Sequence, residues 1–175
     1  IEDNIITFIA AGHETTARAL AWTLYLLASD PAALQRCYSE VDALDIATLP
    51  PHQWGDQLPW LTACFEESMR LYPPAGIIAR KLNGTIDHGD FHIGDGTVIV
   101  TSPWVLHRHK KLWQKPDQFH PERFLGENRN SINRFSYLPF GLGHRVCIGN
   151  RFAMQEAQII LVNLLRNFTF EYAGK

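Results

Sequence analysis

Residues 140–149 (FGLGHRVCIG) place one cysteine, Cys147, in a loop with three glycines. Glycine lets a backbone turn tightly and approach a flat ligand closely. A helix is predicted to begin at about Gly149, so the free N–H groups of its first turn would stabilise a thiolate on Cys147. Arg145 adds positive charge or pairs with a ligand carboxylate. These residues suit a thiolate ligand to a metal, and an unreactive buried cysteine is the alternative that the segment alone leaves open.

Two further segments contain charged residues at defined spacing. Glu67 and Arg70 share one face of a predicted helix from about Pro59 to Leu71, so they can form an ion pair. Taken alone, this pair is better explained as an exposed salt bridge worth under ~1 kcal/mol. The later segment 119–124 (FHPERF) adds a second arginine, Arg123.

The segment 11–16 (AGHETT) lies inside a predicted helix over residues 2–29. Glycine in a helix interior costs ~1 kcal/mol relative to alanine, so a compensating role is expected for Gly12. If the Thr15 hydroxyl donates to the Ala11 carbonyl, the helix can open locally and admit water or dioxygen. In isolation, simple packing of Gly12 and solvation of Glu14 explain the segment better.

Together and in this order, these segments resemble the cytochrome P450 family. The segment 140–149 is similar to the haem-binding signature of the family, and residues 65–74 are similar to its ExxR helix with the Leu-Tyr-Pro-Pro exit. The segment FHPERF resembles its Pro-Glu-Arg-Phe segment, and AGHETT resembles its oxygen-activation motif. The resemblance covers residues 1–175 and implies one partial P450 domain, with the N-terminal portion of the fold absent. The expected fold class is mainly α with a minor β region, the C-terminal part of the P450 fold.

The resemblance implies haem b as the cofactor and O2 as the co-substrate. Cys147 would be the axial thiolate, which pushes electron density toward iron and favours O–O cleavage. Arg145 would pair with a haem propionate, and Arg80 would reach one too, although an exposed strand-edge arginine is the alternative for Arg80. Ala153 is small enough to lie beneath a flat macrocycle. The other cofactor-binding positions that the resemblance implies are Phe140, Gly141 and Gly149.

The same resemblance assigns roles to the other motifs. Thr15 would orient protons toward the activated dioxygen, and Glu14 would feed this relay. Glu67, Arg70 and Arg123 would form a structural triad that holds the cysteine loop in place. The residues implied to line the substrate pocket are Ala11, Gly12, Ala75, Gly76, Ile77, Ile78 and Ala79.

The implied activity is monooxygenation, the insertion of one atom of O2 into an apolar organic substrate. Electrons would come from NAD(P)H through a ferredoxin- or flavoprotein-type donor. One alternative is a thiolate-haem isomerase or reductase without O2 chemistry, which the Glu14–Thr15 pair disfavours. The other alternative is a truncated, non-catalytic remnant.

The hydrophobic pattern predicts the elements that must position these residues. Continuous apolarity predicts that the first helix is buried on several sides. Residues 111–138 are predicted to be irregular, and the turn before the second strand is placed at 87–89. The predicted helices are 2–29, 31–44, 59–71, 102–109 and 149–166, and the predicted strands are 76–82, 90–93, 97–101 and 168–172, with a loop over 50–58.

Composition agrees with a folded domain. With 46% hydrophobic and 19% charged residues, disorder and a coiled coil are excluded, and a net charge of −2 does not fit a generic nucleic-acid binder. The longest nearly apolar run, residues 19–28, is too short for a membrane span. Three cysteines without a CxxC pair suit a reducing compartment. We therefore expect an intracellular protein. It would be cytoplasmic, or membrane-associated if a missing N-terminus carries an anchor. The start at Ile1, within a helical pattern, suggests a fragment.

Basic residues concentrate between positions 105 and 151, with 9 Lys or Arg against 3 Asp or Glu. Several of them are predicted to form a docking patch for an acidic electron donor, and a solvated surface is the alternative. The eight histidines show no helix-face pair for a metal, and His107 and His109 are expected to be exposed. His107 and Arg108 resemble a recurrent pair of the family with a structural role. The candidate members of this patch are Lys110, Lys111, Lys115, Arg129, Arg134 and Arg151.

Overall fold

Helices dominate the computed structural model, which describes residues 1–174. Within these residues the α-helices are α1 (Glu2–Ser29), α2 (Pro31–Asp42), α3 (Trp54–Gln57), α4 (Pro59–Leu71), α5 (Pro103–Leu106), α6 (Gly126–Ser131) and α7 (Asn150–Asn167). The strands are β1 (Ile78–Lys81), β2 (Ile86–His88), β3 (Phe91–Ile93) and β4 (Val98–Thr101), and 3-10 turns cover Pro51–Gln53, Pro121–Phe124 and Gly143–Arg145.

The long helix α1 has the predicted bounds and two different halves. Its C-terminal half buries one face, with Thr23 and Leu27 fully inaccessible, whereas Trp22 and Tyr25 stay exposed. In its N-terminal half Phe8 and Ile9 are exposed, so the prediction of burial on several sides is wrong there. The helix ends at Asp30, whose side chain accepts a hydrogen bond from the Ala33 N–H at 3.0 Å and so caps α2.

The core lies between α1, α2, α4 and α7. Glu40 of α2 ties two of these helices together, because its carboxylate oxygens accept the N–H groups of Trp60 and Leu61 at 2.8 Å each. These are unpaired donors of the first turn of α4, so the contact both caps that helix and fixes its angle to α2. Fully buried residues of the core include Leu27, Cys37, Val41, Leu61, Cys64 and Leu161.

The strands form two separate antiparallel pairs, of which only β2–β3 is a hairpin, inserted between β1 and β4. β1 pairs with β4, with Ile78 opposite Thr101. β2 pairs with β3, with Ile86 opposite Ile93. Residues 87–89 were predicted as a turn, but Asp87 and His88 belong to β2, because the chain reverses one residue later, where Gly89 has φ +56°.

Three other local predictions are wrong. Residues 168–172 form no strand within the described chain, because no neighbouring strand is there to pair with, and the Phe170 N–H donates to the Tyr38 hydroxyl at 3.0 Å. Residues 111–138 are not wholly irregular, since they contain Pro121–Phe124 and α6. The loop 50–58 likewise contains a 3-10 turn and α3.

Across residues 1–174, none of the helices combines the length and apolarity that crossing a membrane requires.

Candidate functional site

An apolar cavity of about 750 Å³ lies between α1, α4, the segment leading into β1, and the cysteine loop. This volume falls within the ~300–1,000 Å³ typical of small-molecule and cofactor sites. Helix α1 contributes Phe8, Ala11, Gly12, Thr15, Thr16 and Ala19, and α4 contributes Phe65 and Met69. The remaining wall comes from Pro74, Ala75, Ile77, Ile78, Ala79 and Arg80, and from Pro139, Phe140, Gly141, Arg145, Cys147, Ile148, Gly149, Phe152 and Ala153.

The cysteine loop is a closed turn. The Cys147 N–H donates to the Phe140 carbonyl at 2.9 Å, which brings the two ends of the loop together. Gly141 has φ +74°, a conformation that side chains disfavour, and a Cβ there would lie 3.7 Å from Ile78 Cδ1. The loop therefore packs directly on β1. Cys147 is a free, exposed thiol that lines the cavity.

Most of the predicted cofactor and pocket residues lie around this one cavity. Cys147, Arg145, Arg80, Phe140, Gly141, Gly149 and Ala153 all line it, as do Ala11, Gly12, Ala75, Ile77, Ile78 and Ala79. Gly76 does not line it, because the backbone there faces Trp104 instead. Among residues 1–174 the Arg145 guanidinium has no hydrogen-bond partner, whereas Arg80 donates to the carbonyl of its neighbour Ala79.

The two residues of the predicted proton relay differ in position. Thr15 lines the cavity, and its hydroxyl donates to the Ala11 carbonyl at 2.8 Å. The helix nevertheless continues through this bond from residue 2 to residue 29. Glu14 lies outside the cavity lining and pairs with Arg18, one helical turn further along, with both side chains mostly exposed. In the described geometry, Thr15 alone of the two can contact a ligand in the cavity.

The three charged residues of the predicted triad do come together, away from the cavity. Glu67 and Arg70 are fully buried and form a forked pair, with Arg70 Nε and Nη2 at 2.7 and 2.8 Å from the two carboxylate oxygens. Arg123 Nε lies 3.4 Å from Glu67 Oε1. Because none of the three lines the cavity, their contacts suit a structural role.

Arg70 also holds the chain that leads to the cysteine loop. Its Nη1 donates to the carbonyls of His107 and Pro116 at 2.7 Å each, and its Nη2 donates to the Gln118 carbonyl at 3.1 Å. The Glu67 carboxylate accepts the His120 N–H at 2.9 Å. One buried ion pair therefore fixes several turns of backbone.

The prediction that His107 is exposed is wrong, whereas His109 is exposed as expected. His107 is fully buried, and its Nε2 accepts the Leu138 N–H at 2.7 Å. Burial lowers the pKa of His107 from 6.5 to about 4, so the ring is neutral at physiological pH.

Sequence reasoning missed several cavity residues. Phe65 and Met69 are four residues apart on α4, so they share a helix face, and this spacing next to the Glu67–Arg70 pair was an available signal. Phe152, three residues into α7, lines the cavity beside Ala153. Phe8 offered no signal beyond its place in an apolar helix.

One member of the predicted docking patch has an internal partner. Arg129 donates to Glu66 at 2.8 Å, and its guanidinium lies over the rings of Phe124 and Tyr137. Burial raises the pKa of Glu66, and the neighbouring Arg129 partly offsets this. Arg129 is therefore less available to an electron donor than the exposed Lys110 and Lys111.

The chemistry of the cavity fits a haem. Its walls are apolar, its one thiol is a soft ligand that suits iron, and its two cations, Arg80 and Arg145, could each meet a carboxylate. Among the described residues, no carboxylate side chain lines the cavity. A flat, hydrophobic molecule with anionic groups at its edge matches this lining.

Comparison with known proteins supports the same conclusion. The family model "Cytochrome P450" matches residues 1–175. Cytochrome P450 3A12 of Canis lupus familiaris is 40% identical over 167 residues, 95% of this chain and 33% of that protein. The protein LUTEIN DEFICIENT 5, chloroplastic, of Arabidopsis thaliana is 40% identical over 177 residues, 99% of this chain and 30% of its own length. Cyclooctatin synthase of Streptomyces melanosporofaciens is 38% identical, with coverage of 92% and 35%.

The chain thus spans about a third of the length of these relatives. The match runs through every segment on which the resemblance depended, and the mainly helical fold with a minor β region is confirmed. This chain belongs to the cytochrome P450 family.

Proposed function

We propose that residues 1–175 are the C-terminal part of a haem-thiolate monooxygenase. The complete protein would insert one atom of O2 into an apolar organic substrate, with electrons from NAD(P)H delivered by a ferredoxin- or flavoprotein-type donor. The observation that carries the proposal is that Cys147 and Thr15, from two distant parts of the sequence, line one apolar cavity.

The chain's own residues would bind the haem in the following way. Cys147 would hold the haem iron through its thiolate, on a loop whose glycines allow close approach of the backbone. Arg145, whose guanidinium has no partner among residues 1–174, would pair with one propionate, and Arg80 would approach another. Ala153 leaves space beside the macrocycle. When bound, the haem supplies a redox-active iron whose thiolate ligand favours O–O cleavage.

Thr15 would deliver protons inside the cavity. Its hydroxyl now donates to the Ala11 carbonyl, so its oxygen lone pairs remain free to accept a proton-donating water. Rotation about χ1 would release the hydroxyl to donate to a ligand. Glu14 is solvent-exposed and paired with Arg18, so it would connect this hydroxyl to bulk water only after leaving that ion pair.

The lining of the cavity supports an apolar substrate. Ile77, Ile78 and Phe8 offer only hydrocarbon surface, and the two cations of the lining, Arg80 and Arg145, are the residues that the resemblance assigns to the cofactor and not to the substrate. In the complete protein, an apolar wall of this kind would exclude water and so prevent proton leakage during turnover.

Isotope labelling in the full-length protein tests the reaction. Apolar compounds that shift the Soret band on binding would be incubated with labelled dioxygen, NADPH and a reductase system. We expect product that contains one labelled oxygen atom. Unlabelled, rearranged or reduced product from a haem-loaded enzyme would instead establish the isomerase or reductase alternative, and absence of haem binding would favour the non-catalytic remnant.

A further inference from the structure

His107 lies between the buried Glu67–Arg70 pair and the segment that enters the cysteine loop. Its backbone carbonyl accepts a hydrogen bond from Arg70 Nη1 at 2.7 Å. Its side chain contacts the segment that enters the cysteine loop, because Nε2 accepts a hydrogen bond from the Leu138 N–H at 2.7 Å. One residue thus connects α4 to residue 138 by two short hydrogen bonds.

Leu138 is the start of the path to the sulfur. Its carbonyl accepts the Gly141 N–H at 3.2 Å, and the Phe140 carbonyl accepts the Cys147 N–H at 2.9 Å. Pro139 lies between Leu138 and Phe140 and has a restricted φ. The position of Leu138 therefore largely determines the position of Phe140. A change at the Leu138 amide is therefore passed to the turn that carries Cys147.

The environment of His107 keeps its ring in one orientation and one protonation state. The side chain is fully buried, and the ring of Tyr137 lies 5.2 Å away. The Tyr137 hydroxyl donates to the Glu66 carbonyl at 2.9 Å, which anchors the same segment to α4 a second time. Burial keeps the imidazole neutral, and the donating Leu138 N–H makes Nε2 its acceptor, so the ring proton lies on Nδ1, which is buried and has no hydrogen-bond partner among the described residues.

We propose that His107 is a positioning residue for Cys147. It links the rigid Glu67–Arg70 pair to the cysteine loop, because its carbonyl binds Arg70 and its ring holds the Leu138 amide in a fixed position. His107 does not line the cavity, so it acts through the loop and touches neither ligand nor cofactor. The inference rests on the proposed function for the role of the sulfur, but the hydrogen bond at its centre exists independently of the haem.

Two substitutions separate this role from simple space filling. His107→Phe keeps a ring of similar size against Tyr137 but removes the acceptor, which leaves the buried Leu138 N–H unpaired. His107→Gln places an amide oxygen at about the reach of Nε2 and can restore the acceptor. Val41→Ala, a core substitution in α2, lowers overall stability without touching this path and serves as the matched control.

Amide hydrogen exchange of the full-length haem-loaded protein tests the first step. We expect the Leu138 amide to exchange about 10- to 100-fold faster in His107→Phe, to regain protection in His107→Gln, and to be unaffected by Val41→Ala beyond the global change. Equal Leu138 protection in His107→Phe and the wild type would overturn the inference.

The reduction potential and the reduced, CO-bound absorption spectrum test the second step, from the loop to the sulfur. We expect His107→Phe to shift the potential and to reduce the fraction of the red-shifted Soret form, and His107→Gln to restore both. Faster Leu138 exchange with an unchanged potential and spectrum would show that the sulfur is held by other contacts, which also overturns the proposal. A wild-type protein without any red-shifted form would refute the proposed function instead, while the exchange comparison still decides whether His107 holds Leu138.

Discussion

Arg70→Met removes the most highly connected buried cation of the described chain. Arg70 is fully inaccessible and makes two hydrogen bonds to Glu67 and three to backbone carbonyls. Methionine retains much of the apolar stem and offers no donor. The substitution therefore leaves the Glu67 carboxylate buried, with Arg123 at 3.4 Å as its nearest remaining cation.

The expected cost follows from these contacts. Breaking a buried ion pair by removing one partner costs about 3–5 kcal/mol, because the other charge is left unpaired. The three carbonyls that lose their donor add to this, so about 4 kcal/mol is a lower estimate. Since the stability of a folded domain is only about 5–15 kcal/mol, Arg70→Met should remove a large share of it.

Urea unfolding of the full-length protein provides the assay, with Arg129→Met as the matched control. The Arg129–Glu66 pair has similar chemistry, but the Arg129 side chain is 43% exposed and makes one side-chain hydrogen bond instead of five, so its loss should cost clearly less, about 1–2 kcal/mol with Glu66 at 14% exposure. Adding Glu67→Gln to Arg70→Met should recover stability, because it removes the buried charge but keeps an acceptor for the His120 N–H. If Arg70→Met does not fold, Arg70→Lys, with its smaller set of donors, gives a measurable intermediate loss.

The reasoning is refuted if Arg70→Met costs no more than Arg129→Met. It also fails if the double substitution with Glu67→Gln is as unstable as Arg70→Met alone. Either result would mean that the buried pair is not the charge interaction that holds these segments together.

Three further results are expected. Thr15→Ala should retain haem but release more peroxide per O2 consumed, whereas Thr15→Ser should stay close to the wild type; normal coupling in Thr15→Ala would contradict the relay. Because burial lowers the pKa of His107 from 6.5 to about 4, the stability contributed by the neutral ring is complete above about pH 6.5 and is lost as the pH falls toward 4. Urea titrations between pH 6.5 and 4 should show the wild type losing about 3 kcal/mol more unfolding free energy than His107→Gln. Equal losses in the two proteins would show that His107 is not the source of the pH dependence. Charge reversal of Lys110 and Lys111 should slow reduction by an acidic donor at low ionic strength and have little effect in high salt. An unchanged rate at low salt would refute the predicted docking role of these lysines.

The helix ends and the glycine-rich turn were predictable from sequence, because proline and glycine restrict the backbone at their own positions. α4 has its predicted bounds because proline begins it and a proline pair follows its end, and α1 ends at its predicted bound because Pro31 begins the next helix. The tight turn that carries Cys147 was predictable from its glycine positions and from the helix that follows, whereas the role of the sulfur stays a prediction.

Tertiary contacts explain what was missed. His107 lies in a segment rich in lysine and arginine, and only the approach of α4 and Leu138 makes that position buried. Residues 168–172 have strand-forming side chains, but strands need partners, and the backbone there meets the Tyr38 hydroxyl instead. Glu14 lies off the cavity for a local reason instead: the cavity-lining positions 8, 11, 12, 15, 16 and 19 share one face of α1, and position 14 lies on another face, where it pairs with Arg18.

The central claim is that the Cys147 sulfur is the haem ligand in the cavity beneath α1. Its most direct test is the absorption spectrum of the dithionite-reduced, CO-treated full-length protein, with Cys147→Ser and the buried-thiol control Cys64→Ala measured in parallel. We predict a strongly red-shifted Soret band in the wild type and in Cys64→Ala, and its loss in Cys147→Ser. A red-shifted band that persists in Cys147→Ser, or a haem-loaded wild type that lacks it, would contradict the assignment.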